Sequence, residues 1–255
     1  MASSNDVAGK AYDQFILFGD SITQMSSDPA MGYGLQPALQ DAYSRKLDVI
    51  NRGFGGYTTI HANNVFAKFF PAPETATVRF MTIFFGANDA CVEGHQQHVP
   101  IETFKENLKK LIQHPATVAQ KPRIILITPP PINEYQLEGF DHAKDTAHPS
   151  RTAAITKTYG EAVKEVGKSL NVPVADIWTT FMHSVGWQEG QPLIGSRDAP
   201  RNEKFDSLFV DGLHLTGDGY RLVFSEVMKE INATWPDESP NNLPMVFPAW
   251  TTFYE

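Results

Sequence analysis

A single cysteine, Cys91, excludes a disulfide framework within the chain and a Cys-rich zinc site. Clustered positive charge is also missing. Lys and Arg number 21 against 29 Asp and Glu, for a net charge of −8. A surface that grips phosphate backbones concentrates cations, so nucleic acid is not an expected partner. No apolar run approaches the roughly 18 residues of a spanning helix, so stable membrane association is not expected either. Residues 1–10 are polar and lack the charged-then-apolar pattern of a secretory signal, and the last residues are not a Ser-Lys-Leu type address. The expectation is a cytoplasmic protein, in which the acceptor pattern Asn232-Ala233-Thr234 stays unmodified. No phosphate-cradling Gly-x-x-x-x-Gly-Lys-Ser/Thr and no Gly-x-Gly-x-x-Gly after a strand is present, which argues against a nucleotide cofactor. Gly-x-Ser-x-Gly, the nucleophile elbow of α/β-hydrolases, is absent too.

What is present is a chain of 255 residues, 42% hydrophobic and 20% charged, enough to bury a real core. One domain over 1–255 is expected. Phe15-Ile16-Leu17-Phe18 stops abruptly at Gly19-Asp20-Ser21, as a strand buried on both faces of a parallel sheet would. Further strands are expected at 47–50, 78–85, 123–128 and 172–175. Helices are expected at 35–43, 59–69, 102–113, 152–170 and 216–231, the last capped by Thr216. Pro129-Pro130-Pro131 forms a rigid turn, and 186–204 reads as loop. Strands alternating five times with helices imply a parallel sheet covered on both faces.

Three strand ends carry small or polar clusters: Gly19-Asp20-Ser21, Gly53-Phe54-Gly55-Gly56 and Gly86-Ala87-Asn88-Asp89. In a parallel sheet all carboxyl ends face one way, so these clusters can converge. A fourth piece, Asp211-Gly212-Leu213-His214, precedes the last helix. Acyl transfer by a serine needs a base within hydrogen-bond reach, usually an imidazole, and a carboxylate to orient it. Ser21, His214 and Asp211 can supply these parts, the last two from one loop. The oxyanion needs donors, and the Ser21 N–H, the Gly56 N–H and the Asn88 amide are candidates. Each block also has a plain structural reading: Ser21 can cap a helix, Asp211-Gly212 is a common turn, and Asn88-Asp89 can cap the helix that follows. Their joint occurrence in this order is the specific signal. His95 and His98 lack a third metal ligand nearby, His61, His114, His142, His148 and His183 read as surface or core residues, and Cys91 reads as a wall of the site.

Gly19-Asp20-Ser21-Ile22, Asn51 through Gly56, Gly86-Ala87-Asn88-Asp89 and Asp211-Gly212-Leu213-His214 resemble, in order, the four blocks of the SGNH, or GDSL, hydrolase superfamily. The one visible departure is Ile22, where the family has leucine. Within the superfamily the chain is similar to isoamyl acetate-hydrolysing esterases. Arg52-Gly53-Phe54-Gly55-Gly56-Tyr57-Thr58, Phe85-Gly86-Ala87-Asn88-Asp89-Ala90, Thr128-Pro129-Pro130-Pro131-Ile132 and Asp211-Gly212-Leu213-His214-Leu215 carry that likeness. The resemblance implies a three-layer α/β/α, flavodoxin-like domain with a five-stranded parallel sheet. It implies Ser21 as nucleophile, His214 as base and Asp211 as its orienting acid. It implies an oxyanion hole from Ser21, Gly56 and Asn88, with Gly56 fitting its position better than Gly53 or Gly55. It implies no cofactor and no metal.

The expected function is hydrolysis of small, uncharged carboxylic esters of short acyl groups such as acetate. A lysophospholipase or thioesterase, a carbohydrate acetyl esterase and a non-catalytic binding module that keeps the fold are the alternatives. Residues 236–255 hold four prolines with Phe247, Trp250, Phe253 and Tyr254 among them. So much aromatic area is costly to leave in water. This tail is expected to pack on the domain, as a cover for the site, or against a second subunit in a homodimer.

Overall fold

A computed structural model describes residues 12–143 and 149–253. The polar start over 1–10, His148 and Tyr254 fall outside them. Five strands, β1 (Asp13–Gly19), β2 (Leu47–Gly53), β3 (Val78–Phe84), β4 (Arg123–Ile127) and β5 (Val174–Ala175), pair in parallel in the order β2-β1-β3-β4-β5. The helices are α1 (Ser21–Gln24), α2 (Leu35–Ala42), α3 (Thr59–Phe69), α4 (Ile101–Ile112), α5 (Pro115–Gln120), α6 (Glu134–Ala143), α7 (Ala153–Leu170), α8 (Ile177–Ser184), α9 (Glu203–Asp206) and α10 (Gly217–Thr234).

Side chains alternate across the sheet, and both faces are buried. Phe15 and Leu17 of β1, with Phe80, Phe84 and Ile125, face α2, α8 and α10. Ile16 and Phe18, with Met81, Ile83 and Leu126, face α3, α4 and α7. Each such side chain taken out of water contributes about 1.5–3 kcal/mol before the entropy of ordering is subtracted. The result is the expected three-layer arrangement. The β2 edge is covered from α2: Gln40 Oε1 accepts from Val49 N–H at 2.8 Å, and the Gln36 and Gln40 amides donate to the carbonyls of Val49 and Leu47. At the other edge β5 is only two residues long, shorter than the apolar run at 172–175 suggests. Short edges of this kind resist pairing with other chains.

Five helices, α1, α5, α6, α8 and α9, lie outside the spans expected from the sequence. α6 follows the triple proline, α8 is apolar on most sides, and α9 interrupts the stretch expected as loop. Among the described residues, no helix is long and apolar enough to cross a membrane.

The described residues after α10 run to the amino ends of the strands, away from Ser21, and do not cover it. Glu238 is buried and pairs with Arg79 of β3, at 2.6 Å, and with Arg123, the first residue of β4. Tyr43 O–H donates to the Glu238 carbonyl at 3.0 Å, and Leu243 enters the core. Beyond it, Arg45 donates to the Phe247 and Pro248 carbonyls, and the Phe247 ring meets Tyr12 edge-on. Phe247 and Trp250 stay exposed.

Candidate active site

Strand order reverses on either side of β1, and the crevice beyond the carboxyl ends at such a reversal is where open α/β sheets bind ligands. Ser21 stands there. Gly19 ends β1 under a close approach, since a Cβ at that position would lie 2.6 Å from the Phe84 carbonyl oxygen. Asp20 caps α1, its Oδ1 accepting from Ile22 N–H at 2.9 Å. Tyr220 of α10 fastens the same turn through a 2.7 Å hydrogen bond to the Ile22 carbonyl. Asp20 is buried, and that burial pushes its carboxyl up to about 7 against the opposing pull of the Ile22 N–H; the charge of Asp89 adds to the rise.

The second part is the loop before α10, closed by a bridge between Phe209 and Leu215 and a 2.8 Å hydrogen bond from Val210 N–H to the His214 carbonyl. Inside it Asp211 Oδ1 accepts from the N–H groups of Leu213 and His214, at 3.0 and 2.8 Å. Its other oxygen, Oδ2, lies 2.7 Å from His214 Nδ1. Partial burial works against ionisation of Asp211, but the His214 side chain, the backbone donors and the His214 charge outweigh it and lower the carboxyl below its ordinary value. Gly212 has φ +87°, which favours glycine. His214 Nε2 lies 2.9 Å from Ser21 Oγ. The carboxylate only accepts, so the proton of a neutral imidazole belongs on Nδ1 and leaves Nε2 as acceptor for the serine hydroxyl.

The third part is the loop after β2. Gly53 lies so near α1 that a Cβ there would be 2.0 Å from Gln24 N. Gln24 Oε1 takes the Gly55 N–H at 2.8 Å. Gly56 follows with φ +77°, and its N–H meets no acceptor among the described residues. Its carbonyl accepts from the Gln97 amide at 2.8 Å. Asn88, after β3, is 4% exposed; its Nδ2 donates to the Tyr57 carbonyl and its Oδ1 accepts from Arg151, both at 2.9 Å. The structure thus ties the Gly56 loop to both the Ser21 turn and Asn88.

Asp89 does not cap the helix after it. Its Oδ1 accepts from the N–H and hydroxyl of Thr59, at the start of the earlier α3. Its Oδ2 is buried without a partner among the described residues, and burial raises the carboxyl to about 6. His61 completes the capping box of α3 with Thr58, and His114 caps α5. His98 Nδ1 lies 2.6 Å from the Cys91 carbonyl. Among the described residues no three His, Cys, Asp or Glu side chains gather as a metal site. Four contributors carry no mark in the sequence: Gln24, Gln97, Asn133 and Arg151. Each acts on residues at least 30 positions away, and no local pattern announces such contacts.

Residues 17–222, which hold all four blocks, match the model of the GDSL-like lipase/acylhydrolase family. The chain belongs to this family. It is therefore a carboxylic ester hydrolase of the GDSL type. It is 36% identical to a GDSL esterase/lipase of Arabidopsis thaliana over 242 residues, covering 92% of this chain and 91% of that protein. It is 31% identical to an isoamyl acetate-hydrolyzing esterase 1 homolog of Homo sapiens over 245 residues, covering 94% and 87%. Among solved structures it resembles a lipase/acylhydrolase from Enterococcus faecalis, with TM-score 0.63, 25% identity and coverage of 92% and 100%. The GDSL fold also aligns with an acetylxylan esterase from Geobacillus stearothermophilus, at TM-score 0.60, 19% identity and coverage of 86% and 94%.

Proposed function

We propose that this GDSL hydrolase cleaves small, uncharged carboxylic esters with short acyl groups, through an acyl-enzyme on Ser21. Ser21 Oγ attacks the ester carbonyl carbon while its proton passes to His214 Nε2. Asp211 holds Nδ1 and stabilises the imidazolium that forms. The carbonyl electron pair moves onto oxygen, which accepts from Ser21 N–H, Gly56 N–H and the Asn88 amide. The intermediate collapses, the C–O bond to the alcohol breaks, and His214 returns its proton to the leaving oxygen. Water then attacks the acyl carbon with His214 again as base, releasing the acid and restoring the Ser21 hydroxyl. The observation that carries this reading is the run of contacts from Ser21 Oγ to His214, 2.9 Å, and from His214 to Asp211, 2.7 Å.

Support for an acetate-type substrate comes from the relatives named for isoamyl acetate hydrolysis. The test is a panel of p-nitrophenyl esters from acetyl to decanoyl, with acyl-CoA and lysophospholipid, run on wild type and on Ser21→Ala. Acetyl esters turned over fastest, with loss of nearly all turnover in the variant, is the expected result. Faster cleavage of decanoyl esters, lysophospholipid or acyl-CoA overturns the substrate class, and retained turnover in Ser21→Ala overturns the mechanism.

A further inference from the structure

Arg151 stands just before α7 and is 3% exposed. Its Nε donates to the Ala87 carbonyl at 2.6 Å and its Nη1 to Ser150 Oγ at 3.0 Å. Its Nη2 donates to Asn88 Oδ1 at 2.9 Å and, more weakly, to Gln97 Oε1 at 3.5 Å. No carboxylate among the described residues pairs with it. A buried guanidinium held only by neutral acceptors is expensive to keep. Three of these acceptors, Ala87, Asn88 and Gln97, sit on or beside the segments that carry Asn88 and Gly56, since Gln97 also donates to the Gly56 carbonyl.

The chemistry of the two partners of Asn88 fixes which way its amide points. A guanidinium can only donate, and the Tyr57 carbonyl can only accept. Oδ1 therefore belongs toward Arg151 and Nδ2 toward Tyr57, which takes one amide N–H and leaves the second uncommitted. With the amide turned over, an acceptor would face the developing oxyanion in place of a donor. A cation on Oδ1 also draws charge through the amide and makes the remaining N–H a better donor.

We propose that Arg151 is a positioning residue for the oxyanion site: it holds the Asn88 amide with its donor turned toward the reacting carbonyl and strengthens that donor. This rests on the esterase reading, in which Asn88 binds the oxyanion. Since Arg151 acts through Asn88, its removal should cost nothing once the amide is gone.

The test is a double-mutant cycle on kcat for p-nitrophenyl acetate, with Arg151→Met, Asn88→Ala and the pair, and thermal melting to show that each variant is folded. Arg151→Met is expected to lower kcat about 10–100-fold with KM changed less than about threefold, and to cause no further loss in the Asn88→Ala background. An equal loss in both backgrounds, or none in either, overturns the role. Arg151→Lys, which keeps the charge and part of the hydrogen bonding, serves if Arg151→Met does not fold. It is expected to lose about 3–10-fold against Asn88 and nothing in the Asn88→Ala background, and equal losses or none again overturn the proposal. Ser21-dependent turnover by the wild type is the control. Its absence overturns the esterase reading, whereas additivity overturns only the role of Arg151.

Discussion

Gly212 and Asn133 lock together: the Gly212 carbonyl accepts from Asn133 N–H at 2.9 Å, and a Cβ on residue 212 would lie 2.4 Å from the Asn133 carbonyl oxygen. Asn133 is itself tied down, donating from its side chain to Asp206 and Gln136. The loop bearing Asp211 and His214 is thereby seated on the start of α6. Gly212→Ala must either strain a backbone at φ +87° or push the loop off Asn133. Misplacing a catalytic base by an ångström can cost about 10²-fold, so kcat should fall by about that factor or more. Steady-state kinetics on p-nitrophenyl acetate, with circular dichroism as a check on folding, reads this directly.

Asp211→Asn keeps the shape of the loop and replaces the oxygen facing His214 Nδ1 by a group that can itself donate. The imidazole then favours the wrong tautomer and loses the charge that supports its protonated form. A loss of about 10²–10⁴-fold in kcat is expected. A parallel measurement on Asn88→Ala should show about 10²–10³-fold, the cost of one oxyanion donor.

Stability should depend on pH in two opposite ways. Asp20 and Asp89 have folded values raised to about 7 and about 6, so the folded state holds their protons where the unfolded chain has released them. Their burial therefore costs nothing below pH about 4, and stability falls as pH rises from there toward 6–7. Asp211 is lowered, so its contribution is present above the ordinary carboxylate range and is lost only in stronger acid. Asp20→Asn retains an acceptor for Ile22 N–H without the charge. Urea unfolding at pH 5 and pH 8 should show the variant gaining on the wild type at the higher pH.

The segment after α10 is held by Glu238 between Arg79 and Arg123, partly exposed arginines facing a buried carboxylate. Glu238→Gln should destabilise by about 1–3 kcal/mol, since Arg79 and Arg123 both lose the Glu238 anion and Arg79 keeps only its pair with Asp13, while leaving kcat unchanged because this end of the sheet is remote from Ser21. Chemical denaturation and turnover measured on one preparation separate the two effects.

The placement of the candidate site residues was legible where short blocks carry them. Gly19-Asp20-Ser21 stops an apolar run abruptly at a strand end, and Asp211 reaches His214 within one turn, so local spacing alone brings carboxylate and imidazole together. α3 begins and ends at the residues expected from the sequence, 59 and 69. Illegible parts depend on contacts far apart in the chain. α6 is seated by Asn133 and Gly212, not by an apolar stripe, and α8 is too uniformly apolar to show a period. Arg151 meets Asn88 across 63 positions. The course of the tail follows from ion pairs to strand starts that no composition could indicate.

The most direct test of the account is to treat the protein with a fluorophosphonate and map the adduct by mass spectrometry. The 2.9 Å contact between Ser21 and His214 predicts one adduct, on the peptide containing Ser21, absent in Ser21→Ala and formed at least about 10²-fold more slowly in His214→Ala. An adduct elsewhere, or labelling of Ser21 at an undiminished rate without the imidazole, would contradict it.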